Sequence, residues 1–104
     1  MSIAQPSPRF SGYSNFGQGT PKTISVGTSS VQLLASNSSR RYAQINNNGT
    51  RRLWIGLGAP AVVGFGQSIN PRSMLNFENN SLFLGQITAV SENGTVNTDV
   101  IEGV

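Results

Sequence analysis

The chain has 104 residues, which is enough for one domain with a modest core. Only 11% of the residues are charged, the formal net charge is +3, and cysteine and histidine are both absent. This composition excludes a disulfide framework, a thiolate nucleophile and the usual histidine general base or zinc ligands. No apolar run approaches the length that spans a bilayer, and the N-terminus lacks the apolar stretch of a signal peptide. We therefore expect a soluble, non-enzymatic protein without cofactor, metal or membrane partner.

Residues 1–21 form a distinct N-terminal segment that is rich in proline, glycine and serine. Phe10, Tyr13 and Phe16 recur at a spacing of three after Arg9, and in an extended polyproline-like chain this spacing places the three rings on one side. We predict an extended N-terminal arm over residues 1–21 and a β-sandwich domain over residues 22–104. In an isolated chain the arm would be disordered, whereas in an assembly these four residues are candidate protein contacts.

From Lys22 onward, short apolar runs alternate with turn residues at intervals of about eight to twelve residues. The pattern predicts an all-β fold: an antiparallel β-sandwich or jelly-roll-like barrel of about seven to eight strands, preceded by the arm. Segment 58–71 contains several glycines and prolines and is predicted to be a long crossover loop between the sheets or an edge strand. The predicted strands are 24–26, 31–35, 42–45, 53–57, 74–77, 82–84, 86–90 and 96–101.

Residues 40–57 contain two alternating runs around an asparagine-glycine sequence and are predicted to form the central hairpin. A three-residue loop with Gly49 in the left-handed region would pair Ala43 with Leu53 and Tyr42 with Trp54, which keeps the aliphatic side chains on one face. The other face would then expose a Tyr42–Trp54 pair, which we predict to be a contact between subunits. A similar argument predicts a tight type I′ hairpin around Asn93 and Gly94 that pairs 86–91 with 96–101.

Two arginine pairs flank the predicted central hairpin, and we treat them as candidate basic contacts. They are Arg40 with Arg41 and Arg51 with Arg52. Because the pairs lie at opposite ends of the hairpin, they lack the dense basic clustering of nucleic-acid domains, and solvated strand ends explain them. We therefore do not predict a nucleic-acid partner. Single-strand binding is kept as a third alternative, which would show a steep salt dependence.

Residues 56–61 match the dinucleotide-binding pattern G-x-G-x-x-A. That motif requires a helix after the glycines, and Gly64, Gly66 and Pro71 prevent one here. We interpret these glycines as residues that end a strand and form a loop. The four acidic residues are interpreted as solvated charges at strand ends rather than as a catalytic pair. These residues are Glu78, Glu92, Asp99 and Glu102.

Residues 22–103 resemble small all-β structural proteins of tailed bacteriophages in the order and spacing of their segments. The resemblance rests on Ile24-Ser-Val-Gly, Val31-Gln-Leu-Leu-Ala, Arg40-Arg-Tyr-Ala-Gln-Ile-Asn-Asn, Leu53-Trp-Ile-Gly-Leu-Gly, the run from Ala61 to Gly66, Leu82-Phe-Leu-Gly-Gln-Ile-Thr-Ala-Val and Val100-Ile-Glu-Gly. This class of phage proteins includes capsid decoration, or cement, proteins, which are often trimeric and brace the outside of the shell. Other members belong to tails or fibres. The resemblance implies a virion structural protein, assembled in the host cytoplasm, whose partners are the major capsid protein or other virion proteins. It also implies a homo-oligomer, with a trimer favoured.

A second hypothesis from a different class is a carbohydrate-binding module of a phage tail or fibre. In that case the Trp54 ring would stack on a sugar of a host glycan. A response of Trp54 fluorescence to host glycans separates this hypothesis from the decoration protein.

Overall fold

The computed structural model describes residues 19–104, so the predicted arm contacts Arg9, Phe10, Tyr13 and Phe16 lie outside the described residues. The described part is all-β, as predicted, and in it no helix is long and apolar enough to cross a membrane. A short 3-10 turn, Asn79–Ser81, follows the sixth strand. The eight strands are β1 Gly19–Val26, β2 Val31–Leu34, β3 Tyr42–Asn47, β4 Leu53–Leu57, β5 Gln67–Ile69, β6 Met74–Glu78, β7 Ile87–Ser91 and β8 Val96–Gly103.

The strands form two four-stranded antiparallel sheets, which we call sheet A and sheet B. Sheet A has the order β1-β8-β3-β6, and sheet B has the order β2-β7-β4-β5. The pairs β1–β8, β2–β7, β3–β6 and β4–β5 together make one long hairpin of the whole described chain. Gly19 lies opposite Gly103 and Leu53 lies opposite Ile69, and residue 61 is the midpoint of both pairs.

This long hairpin is wound so that β3 also pairs with β8 and β4 also pairs with β7. A hairpin wound in this way into two sheets is the jelly-roll arrangement, one of the two alternatives that the spacing predicted. The bend of the hairpin is loop 58–66, between β4 and β5. Among the eight strands described, β4 and β5 are the only consecutive pair that hydrogen-bond to each other.

The core lies between the two sheets and follows the predicted alternation. On β3, Ala43, Ile45 and Asn47 are buried, and on β4, Leu53 and Ile55 face them from the other sheet. β7 is buried along its entire length, because the outer face of sheet B is also partly covered. The alternation thus correctly placed Ala43, Ile45, Leu53 and Ile55 in the core, whereas Leu57 on the same face of β4 is 46% exposed.

The predicted central hairpin is wrong. β3 belongs to sheet A and β4 to sheet B, so Ala43 does not pair with Leu53 and Tyr42 does not pair with Trp54. Gly49 is absent from the glycines with positive φ. The buried amide of Asn47 organises the connection instead: its Oδ1 accepts from the Gly49 N–H at 2.9 Å. The chain therefore arches from one sheet to the other at this point.

The predicted last hairpin is wrong for the same reason. β7 lies in sheet B and β8 in sheet A, and only Gly94 of the expected turn pair has positive φ. For both strand pairs, the alternation of apolar and polar residues directs the same side chains toward the core, whether the two strands share a sheet or lie in opposite sheets. It could not distinguish a neighbour in the same sheet from a partner across the sandwich.

Three strand boundaries also differ from the prediction. Segment 82–84 is a loop, because the Phe83 carbonyl accepts from the Arg40 guanidinium and the Leu84 carbonyl accepts from the Asn37 N–H. Segment 58–71 contains an edge strand, β5, but does not cross between sheets. β1 begins at Gly19, three residues before the predicted domain start at Lys22, and includes Pro21. Proline is tolerated there because β1 is an edge strand.

Candidate protein-interaction surface

The bend of the long hairpin folds back over the outer face of sheet B. The Thr88 hydroxyl donates to the Ala59 carbonyl at 2.7 Å, and the Ala61 N–H donates to the Ser30 hydroxyl at 2.8 Å. Gly56 permits this close approach, since a Cβ there would lie 2.5 Å from the Ala59 carbonyl oxygen. The loop is thus fastened to β7 and to the connection before β2, lies close against β4 at Gly56, and presents its remaining side chains outward.

Those side chains form an exposed apolar cluster, which we call the bend surface. Phe65 is 71% exposed and Val62 is 52% exposed, and Leu57 and Val63 beside them are also exposed. The bend surface borders a groove of about 260 Å³, whose lining includes Ile55, Pro60 and Gln67 as well as bend-surface residues. Contiguous exposed apolar side chains on a small domain mark an interaction site.

The bend surface lies in the longest uncharged part of the described chain. Between Arg52 and Arg72 the sequence contains no charged residue. Because neither attraction nor repulsion between charges acts directly within the bend surface, apolar burial is the interaction that it offers to a partner. Charge depletion with aromatic enrichment is the composition of an interface centre.

The predicted Tyr42–Trp54 surface does not exist. Tyr42 is on the outer face of sheet A, is only 2% exposed, and its hydroxyl donates to Asn76 Oδ1 at 3.1 Å. Trp54 is on the outer face of sheet B, opposite Val90. The two rings therefore lie on opposite outer faces of the sandwich and cannot form one contact.

Trp54 is partly buried on the outer face of sheet B. Its Nε1–H donates to Glu92 Oε1 at 3.2 Å, and Ser68 of β5 lies opposite it in the ladder. The neighbouring Arg52 donates from Nε to Asn70 Oδ1 at 3.1 Å. The indole therefore sits among polar groups, with part of the ring accessible.

Arg40 is a structural residue and was wrongly predicted as a surface contact. Its side chain is 0% exposed, and its Nε donates to Glu102 Oε2 at 2.9 Å. Nη1 donates to the carbonyls of Phe83 and Gly85, and Nη2 donates to that of Ala35. The guanidinium thus joins three segments at one end of the sandwich and is unavailable to a partner.

The other three predicted arginines remain at the surface. Arg41 precedes β3, and its N–H donates to the Gly103 carbonyl at 2.8 Å. Arg51 and Arg52 precede β4 and lie at the opposite end of the sandwich. The structure therefore separates the basic residues into two groups rather than one patch.

The acidic residues have structural partners of their own. Asp99 accepts from the Thr23 hydroxyl and from Asn48 Nδ2, both at 2.6 Å. Glu102 accepts from Arg40, and Glu92 accepts from Trp54. In residues 19–104 no group of three or more acidic, histidine or cysteine residues is placed to hold a metal ion.

The sequence analysis missed the four residues of the bend surface. Segment 58–71 was interpreted from its glycines and prolines alone, which correctly indicated a loop. The signal that could have found the surface was composition: a loop that carries two valines and a phenylalanine without any charge is unusual, because loops are normally exposed to water.

Comparisons with family models, with curated proteins and with solved structures find no match for this chain.

Proposed function

We propose that the protein is a non-enzymatic structural protein of a virion, acting as a capsid decoration (cement) protein of a tailed bacteriophage. The observation that carries the proposal is the bend surface, a charge-free apolar cluster fastened to a two-sheet sandwich. A fixed apolar surface on a small domain suits permanent association with other protein subunits. Jelly rolls occur in viral capsid domains and in lectins, so the surface and not the fold supports the choice.

The chemistry of the polar residues supports a non-enzymatic role. Glu92, Asp99 and Glu102 each accept hydrogen bonds from partners within the fold. These carboxylates stabilise loops and strand ends, which is a structural task. A reaction centre would instead need groups directed into a cleft at mutual hydrogen-bond distance.

The proposed partner is the outer surface of the shell, formed by the major capsid protein or other virion proteins. Arg41, Arg51 and Arg52 are exposed and, with Arg9 of the N-terminal segment, would contact acidic groups on the shell. Such exposed contacts are individually weak and screened by salt. Many copies bound to a symmetric shell and to each other would make these weak contacts simultaneously, and the copies together would be stably attached.

Co-sedimentation with empty phage shells that lack this protein tests the proposal. The full-length chain should pellet with the shells and saturate at a stoichiometry set by shell symmetry. Arg51→Ala combined with Arg52→Ala should weaken binding several-fold at low salt and less at high salt. A full-length protein that stays in the supernatant at low salt overturns the proposal.

A second candidate function, glycan binding by a tail or fibre module, is favoured by the environment of Trp54. The partly accessible indole lies beside Ser68 and Glu92, and polar groups around an aromatic ring are what sugar recognition uses. Titration with host glycans should then change the Trp54 fluorescence, and Trp54→Ala should remove binding. A silent response across host glycans eliminates this candidate.

A further inference from the structure

We propose that the bend surface receives residues 10–16 of the N-terminal segment of a second copy of this chain, so that copies link head to tail. The inference rests on the proposed assembly role and names the contact between subunits. Its occupant is a segment with Phe10, Tyr13 and Phe16 spaced by three.

The groove beside Phe65 suits a protein side chain better than a small-molecule ligand. Its volume is about 260 Å³, below the roughly 300–1,000 Å³ of pockets that enclose drug-sized ligands. Its neighbours Phe65 and Val62 are exposed and apolar. An aromatic ring inserted there would gain an edge or stacking contact with the Phe65 ring as well as burial.

Both partners are free of charge over the contacting length. The bend surface lies between Arg52 and Arg72, and the aromatic segment lies between Arg9 and Lys22, with no charged residue inside either interval. Docking the two therefore desolvates no ionised group, which would otherwise oppose association strongly. Arg9 and Lys22 flank the aromatic segment and stay in water at its two ends.

The length of chain before β1 is sufficient to reach a second copy. Gly19 starts β1 opposite Gly103, at the end of the sandwich that is closed by Arg40. β1 runs from there toward the other end of the sandwich. Phe10 precedes Gly19 by nine residues, which span roughly 30 Å when extended. That reach exceeds the two shorter dimensions of the molecule, 27 and 20 Å.

A contact between an arm and a different surface has a consequence for symmetry. Because the two halves of the contact are unlike, each copy can link to the next, and the contact builds open filaments or closed rings, of which reciprocal exchange between two copies is the smallest. A ring of three copies satisfies this geometry and agrees with the trimer implied by the phage resemblance.

The absence of cysteine from the chain provides a direct test of the contact. One full-length preparation carries Ser14→Cys, between Tyr13 and Phe16, and the other carries Gln67→Cys, at the groove. On mixing and mild oxidation, we expect a disulfide between the two preparations, because docking brings the sulfurs within bonding range. Asn93→Cys, exposed at the far end of the sandwich, replaces Gln67→Cys in the matched control and should react at least ten times more slowly.

Sedimentation velocity of full-length variants supplies the second measurement. Phe65→Ser should weaken self-association at least tenfold, and the combined change Phe10→Ser, Tyr13→Ser and Phe16→Ser should weaken it equally. Combining Phe65→Ser with the triple change should weaken self-association little further, since both sets of substitutions remove the same contact. Met74→Ser, which alters another exposed apolar side chain, on sheet A, is the control and should have no effect.

Three results overturn the inference. The first is a full-length chain that stays monomeric with no excess of the Ser14→Cys to Gln67→Cys disulfide. The second is a Phe65→Ser variant that associates as well as Met74→Ser. The third is a chain carrying both cysteines that forms only an internal disulfide, which would assign the arm to its own bend surface. Self-association that depends on Phe65 without any binding to shells would retain the inference and reject the decoration function. If the protein binds shells and its Phe65→Ser variant remains fully self-associated, the decoration function is retained and the inference is rejected.

Discussion

The two ends of the sandwich are each closed by one buried polar side chain, but one is charged and the other is neutral. At one end, the Arg40 guanidinium donates to Glu102 and to the carbonyls of Phe83, Gly85 and Ala35. At the other end, the neutral amide of Asn47 has the same task. Comparing the ends shows how a small core without disulfides fastens its long loops.

At the neutral end, Asn47 Nδ2 donates to the carbonyls of Arg51 and Ile69 at 2.7 and 3.0 Å. Its Oδ1 accepts from the Gly49 N–H, so the hydrogen-bonding capacity of the amide is used by backbone alone. A neutral amide needs no counterion, whereas Arg40 requires Glu102. The charged end should therefore be more sensitive to loss of its central residue.

The largest loss of stability is expected from Arg40→Met, which removes the buried guanidinium at the charged end. The change removes the charged partner of Glu102, to which Asn37 Nδ2 still donates, and leaves three carbonyls without the guanidinium donor. Breaking a buried pair in this way costs about 3–5 kcal/mol of the free energy of unfolding. Urea unfolding followed by circular dichroism measures it. Arg51→Met, at an exposed position, is the control; a loss below about 1 kcal/mol for Arg40→Met contradicts the assigned role.

Asn47→Ala applies the same test to the neutral end. Two buried carbonyls and one N–H lose their partner, and we expect a loss of about 2–3 kcal/mol in the free energy of unfolding. The neighbouring Asn46→Ala, on the outer face of sheet A, provides the control in the same unfolding experiment. If Asn47→Ala costs more than Arg40→Met, the ranking of the two ends is reversed.

Glu102→Gln removes the countercharge of Arg40 while keeping an oxygen acceptor. The Glu102 side chain is 22% exposed, so water can compensate part of the loss. We expect a decrease of about 1–2 kcal/mol in the free energy of unfolding. Thermal and urea unfolding at neutral pH should agree on this smaller value. No change at all would mean that a neutral oxygen acceptor at position 102 serves the guanidinium as well as the carboxylate does.

The smallest effect is expected from Thr98→Val, which lies opposite Asn47 on sheet A. Among the described residues, the Thr98 hydroxyl is the buried side-chain oxygen without a hydrogen-bond partner. Replacing it by a methyl group of similar size should leave stability unchanged or raise it by up to about 1 kcal/mol. A clear loss of stability on unfolding in urea would indicate that the hydroxyl has a partner.

The candidate site was predicted far less well than the fold. Alternation identified Ala43, Ile45 and Leu53 as core residues correctly, because side-chain direction along a strand is a local property. The same pattern misassigned Tyr42 and Arg40 to an exposed surface. Whether an outward side chain is covered depends on which segments pack over it, and in this fold those segments are distant in sequence.

The sequence by itself determined the all-β class, most of the side chains that face the core, and the loop and edge-strand character of segment 58–71. The tertiary structure alone decided that β3 and β4 lie in different sheets, that Arg40 is buried, and that Phe65 is exposed. The physical reason is that a strand with one apolar face can bury it in two ways: beside a neighbour in one sheet or across from a partner in another. Both ways bury the same residues, and only the packing of the whole chain distinguishes them.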